Sequence, residues 1–147
     1  MATASDVIAQ LRTDLLADST FTGLLGTNDI LRTFPSQPKK PPFIVMVANA
    51  RNPQNQISGV GIHRAEYEFD LFVSNPWDAD AIYDHLEQNF TIPRENQAEI
   101  TNSSASIDIL EFNNMIEVPG NMAQMSNGQV LKLFVITFDM RIVLPEV

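Results

Sequence analysis

Two histidines and three closely spaced aspartates are the residues of this chain best suited to chemistry. His63 and His85 could each ligate a metal, yet no HExxH spacing joins them and no third ligand lies near either in sequence. Zinc sites need at least three protein ligands, so both histidines read as surface or interface residues. Asp78, Asp80 and Asp84 have the composition of a divalent-cation cluster. Their place at the start of an expected helix gives a simpler account, because each offsets the helix dipole by ~0.3–1 kcal/mol there. GVG at 59–61 lacks the GxGxxG spacing and a following helix, and neither GxxxxGK(S/T) nor GxSxG occurs. Cysteine is absent, which removes disulfides, thiolate catalysis and cysteine-based metal sites together. Trp77 with Tyr67 and Tyr83 suggests a base-stacking platform, but no basic groove accompanies them; Trp77 is expected to pack the helix start onto the sheet. The residues therefore predict no enzyme, no cofactor and no metal.

The elements that carry these residues are better marked than any motif. In 62–73, Ala65, Tyr67, Phe69, Leu71 and Val73 alternate with Arg64, Glu66, Glu68 and Asp70. A period of two with charge opposite apolar groups marks a strand covered on one side. Asn75 then caps a helix with Pro76 at its first position and Asp78 placed for a capping box; Ile82, Leu86 and Phe90 form its stripe. An earlier helix is expected over 5–17, capped by Ser5 or Thr3, with Val7, Ile8, Leu11, Leu15 and Leu16 buried. Strands are expected at 30–34, 42–50, 106–113 and 130–144, and prolines at 35, 38, 41 and 42 forbid regular pairing within the segment that joins the first two. Residues 51–61 read as a polar loop or an extended hairpin tip, and 114–129 as a second long loop bearing Met115, Met122 and Met125. This order predicts an α+β domain: a mostly antiparallel sheet of about four to five strands, two helices packed on one face, and long loops or hairpin arms. The last strand is apolar on both faces, Phe134, Ile136, Phe138, Met140 and Ile142 against Leu131, Leu133, Val135 and Val143, and asks for a second cover such as a neighbouring subunit.

The 147 residues fit one domain, 1–147, able to bury a core without staples. No apolar run approaches the ~20 residues of a membrane span, and a start that is not basic argues against a signal peptide. The net charge of −9 disfavours holding a phosphate backbone, so no specific nucleic-acid binding is expected.

The ordering VIAQLRTDLLADSTFTGLLG, PPFIVMVANA, EYEFDLFVSNPWDADAIYDHL, SIDILEFNN and LKLFVITFDMRIV resembles the tail terminator, or tail-completion, family of tailed bacteriophages (the minor tail protein U-like type). The resemblance covers nearly the whole chain and lies in pattern, with no signature residue; the 114–129 loop and the acidic balance depart from it. It implies a virion protein assembled in the host cytoplasm: a homo-oligomeric ring, most often a hexamer, that caps the tail tube, ends its polymerisation and docks the head–tail connector. DNA would pass through such a ring without specific binding. On that reading Arg51, Asn55, Gln56, Met122, Gln124 and Met125 are candidate contacts to ring neighbours or adjacent rings, and Glu66, Glu68 and Asp70 a candidate acidic lumen. A head–tail joining or neck connector protein is the nearest alternative, and a small ligand-binding or hydrolase α+β domain the alternative of another class.

Overall fold

A computed structural model describes residues 3–53, 60–93, 100–102, 104–124 and 127–145. Helix α1 (Ala4–Ala17) starts at Thr3, whose side chain accepts from the Asp6 N–H while the Asp6 carboxylate accepts from the Thr3 N–H. This reciprocal box satisfies two donors that a helix start otherwise leaves open, and it holds the Asp6 carboxyl below its ordinary value. Val7, Ile8, Leu11 and Leu15 make its buried stripe. Helix α2 (Ser19–Leu24) is capped by Asp18 and inserts Phe21 into the core. Gly26 follows, donating its N–H to the Pro42 carbonyl at 2.7 Å. A Cβ there would lie 2.2 Å from the Lys40 carbonyl oxygen, so only glycine allows the chain to pass so close.

Strands β1 (Ile30–Leu31), β2 (Phe43–Pro53) and β3 (Val60–Val73) lead into α3 (Pro76–Phe90), followed by β4 (Ile100–Asn102), β5 (Ala105–Gln124) and β6 (Val130–Pro145). They form one sheet in the order β1-β2-β3-β6-β5-β4, with β1 parallel to β2 and every other neighbour antiparallel. The expected α+β domain of four to five strands and two helices is thus corrected. The described residues hold six mixed strands in one curled, half-barrel sheet and three helices, with 49% strand against 29% helix. Three local causes account for the difference. β4 lies in a polar stretch for which the sequence predicts no strand, where Ile100 pairs with Ile107 and is buried. The expected loop over 114–129 is mostly strand: β5 continues through register shifts at Phe112/Asn114 and Glu117/Met122 as far as Gln124. Bulges absorb the extra residues that break strict alternation. The six residues of α2, with a cap of their own, form a separate helix.

All three helices contribute to one face. Ala65, Tyr67, Phe69, Leu71 and Val73 of β3 and Phe134, Ile136, Phe138, Met140 and Ile142 of β6 join Val7, Ile8, Leu11, Phe21, Ile82 and Leu86 in the main core. The Phe138 ring touches Tyr67, Phe69 and Phe112, with centroids 4.7–6.1 Å apart. Each such side chain contributes about 1.5–3 kcal/mol on burial, and a one-residue slip would exchange this set for Glu66, Glu68 and Asp70. The register is therefore strongly specified. In β5 the simple alternation fails: a shift between Ile107 and Ile109 puts Ile107, Leu110 and Phe112 into the core and leaves Ile109 half-buried.

Candidate functional site

The opposite face of the sheet carries none of the three described helices, and it divides into two ends. At one end Phe43, Val45, Phe72 and Leu131 form a second, smaller apolar cluster with Leu31, Val47 and Leu133 at its margin. Phe34 lies against it, 5.1 Å from the Phe72 ring and 6.0 Å from the Phe43 ring, while remaining 44% exposed. At the other end the strands carry charge. Glu66 of β3 stands opposite Asp139 of β6, which stands opposite Glu111 of β5, so three carboxylates line up across three strands. Like charges directly opposite each other destabilise a sheet, and the neighbours answer this. Asn113 donates to Asp139 at 3.0 Å, Arg64 lies 3.9 Å from the same carboxylate, and Arg141 grips Asp108 through Nε at 3.0 Å and Nη2 at 2.5 Å. That grip holds the Arg141 guanidinium above its ordinary pKa.

Asp70 sits at the seam. Its strand neighbours are Val45 and Val135, with Phe72 two residues along on the same face, and its Oδ1 is shut from solvent with no hydrogen-bond partner. Burial first, then the Glu68 carboxyl that hydrogen-bonds and repels it, push Asp70 up to about 7. Glu68, flanked by Val47 and Thr137, is half-buried, and Glu66 is exposed. The three residues predicted to share a face do so, but they grade from a solvated carboxylate to one that holds a proton near neutrality.

The other sequence candidates separate. Arg51 lies on the helix side, opposite Ala65, and donates to the Ser5 hydroxyl at 2.8 Å. Met122 and Gln124 belong to β5, opposite Lys132 and Val130, instead of to a loop. Asn55, Gln56 and Met125 lie outside the described residues. Trp77, expected against the sheet, is 77% exposed. The sequence reading missed Asp139, Glu111 and Asp108 as members of the acidic face. Continuing the alternation of the last strand through Thr137, Asp139 and Arg141 would have found the first of them.

Among the described residues, no three His, Asp or Glu side chains converge as metal ligands would. His85 Nε2 lies 2.8 Å from Asp18 Oδ2, and the Asn89 amide lies 3.1 Å from Nδ1. With Asn89 donating to Nδ1, Nε2 carries the proton that Asp18 accepts. Burial opposes ionisation of Asp18, but this bond and the N–H groups of Phe21 and Thr20 outweigh it and hold the carboxyl below its ordinary value. The pair ties α3 to the cap of α2, which is a structural task. No described helix is long and apolar enough to cross a membrane. Set against known proteins, the chain matches no family model and no curated sequence.

Proposed function

We propose that this chain is a structural ring subunit of a phage tail. Copies of it cap the tail tube, end tube polymerisation and present a docking surface to the head–tail connector, while DNA passes through the lumen. The ring is a homo-oligomer, a hexamer in the simplest case, built into the virion after assembly in the host cytoplasm; its action is geometric, and no catalytic step is assigned to it.

The observation that supports this reading is the division of labour between the two sheet faces. One is filled by the chain's own helices, and the other carries a row of carboxylates beside a strip of half-covered apolar residues. A concentration of negative charge repels a phosphate backbone at short range, so Glu66, Glu68, Glu111 and Asp139 facing a passage would let DNA slide without being held. Half-covered apolar surface on the same sheet suits contact with another subunit.

Light scattering coupled to size-exclusion chromatography, with negative-stain imaging and tail-tube binding, tests the proposal. Annular particles that bind the ends of tail tubes are the expected result. A chain that stays monomeric at every concentration and ignores tube ends would sink it.

A further inference from the structure

The two ends of the sheet are open in complementary ways. β1 pairs with β2 only at Ile44 and Val45, so from Met46 to Asn52 the outer edge of β2 has no ladder partner among the described residues. At the rise of a strand this is about 20 Å of exposed backbone donors and acceptors. Where a longer β1 would run lies a groove of about 540 Å³ between α1 and β2, floored by Ile8, Met46 and Tyr67 and rimmed by Arg12, Arg32 and Arg51. Arg12 is engaged by Asp29 and the Ile30 carbonyl. Arg32 and Arg51 have no carboxylate partner among the described residues, in a chain whose net charge is −9. A shift of register between Ala48 and Ala50 bends β2 beside the groove. An occupant must therefore be extended, supply backbone hydrogen bonds and carry negative charge.

The far end of the sheet offers such a segment. β4 covers β5 only at Ala105–Ile107, and one further bridge joins Ile92 to Leu110. Beyond Phe112, whose carbonyl accepts from the Tyr83 hydroxyl at 3.4 Å, the outer edge of β5 has no ladder partner among the described residues. It bears the exposed Glu117, which has no cation partner among them. Glu117 stands opposite Phe134 and Arg51 opposite Ala65, so both lie on the helix side of the sheet. We infer that the arginine-rimmed groove beside β2 receives the outer edge of β5 from a second copy of this chain, continuing the sheet from subunit to subunit. Neither edge suits itself, since β2 against β2 sets arginines together and β5 against β5 sets glutamates together. The contact is therefore heterologous, and such contacts close into rings or run on as filaments. This deepens the ring reading in naming the surfaces between neighbours, and rests on it only for the closure.

The absence of cysteine makes the test clean. Double variants joining Asn49→Cys or Asn52→Cys to Asn113→Cys or Asn114→Cys, oxidised at the concentration where the chain assembles, should give for at least one pairing a covalent ladder beyond the dimer. The single variants should give none. Arg32→Glu with Arg51→Glu should raise the concentration needed for assembly at least tenfold, with unchanged circular dichroism, and adding Glu117→Arg should recover most of it. Dimers from single variants, or no ladder from any pairing, would overturn the inference. Rings that form normally in the arginine variants would overturn it while leaving the ring reading standing. A ladder from a chain that makes only filaments and ignores tube ends would uphold it and remove the ring reading.

Discussion

The two faces of one sheet are built from the same strands, yet they obey different rules. On the helix side every second residue of β3 from Ala65 to Val73 is buried, and Phe138 sits among three other aromatic rings. On the open side the same two strands pass from Phe72 and Leu133 through Asp70 and Val135 to Glu66 and Asp139, a gradient from apolar to charged. The first face is selected by burial, which tolerates little change in volume. The second grades from apolar to charged, which burial alone does not require. The difference teaches that a strand's alternation specifies its register through one face and leaves the other free for function.

The largest break in this symmetry is expected from the covered face. Phe138→Ala removes the ring that Tyr67, Phe69 and Phe112 all touch, in a fully buried position. A loss of about 3–5 kcal/mol in urea unfolding is expected, with a lowered Tm. A loss below about 1 kcal/mol would mean that the helix face repacks as freely as a surface, and the contrast between faces would fail.

Asp70 sharpens the comparison because it is a carboxylate kept where the open face is still half apolar. In the fold it is pushed up to about 7 from its ordinary 3.8, so between those values the folded chain keeps a proton that the unfolded chain has released. Stability from this group is fully present below the ordinary carboxylate range, declines as pH rises from about 4 to about 7, and levels off above that. Asp70→Val should remove this decline and raise stability at pH 8 by about 1–3 kcal/mol, the usual cost of a buried polar atom left unpaired, here Oδ1. Its neighbours Val45 and Val135 offer valine a matching surface. Parallel pH profiles of urea unfolding in the two proteins, with no divergence between pH 4 and pH 8, would show that Asp70 is better solvated than its surroundings indicate.

Much of the covered face is legible in the sequence, and for a physical reason: it depends on local periodicity. The alternation of 62–73, the Asn75 cap and the 3.6-residue stripes of α1 and α3 are each encoded within a dozen residues. The sixth strand is not legible in that way, whereas the short helical turn from Ser19 through Phe21 and Leu24, with Gly26 as its stop, is. β4 is three residues whose only strand signal is its partner Ala105–Ile107, and past Asn113 β5 carries Asn114, Pro119 and Gly120, which read as loop until pairing with β6 is known. Long-range pairing overrides local propensity there. The candidate site divides in the same manner. Glu66, Glu68 and Asp70 are visible as one face from spacing alone, while the meeting of Arg12, Arg32 and Arg51 depends on where α1 crosses the sheet. Nothing in their separate neighbourhoods announces it.

Glu66 should show the smallest effect on stability and the clearest effect on function. It is exposed beside Asp139, in line with Glu111, so removing its charge relieves repulsion and disrupts no packing. Glu66→Gln should alter unfolding free energy by no more than about 0.5 kcal/mol, in the stabilising direction, and by less at high salt. Glu66→Lys carries the comparison to the proposed passage. Anisotropy of a short labelled DNA duplex should detect no binding to the assembled parent protein at 50 mM salt, and weak binding to the assembled variant that vanishes by 200 mM. Binding by the parent itself would remove the acidic-passage role from this face, whatever the oligomer proves to be.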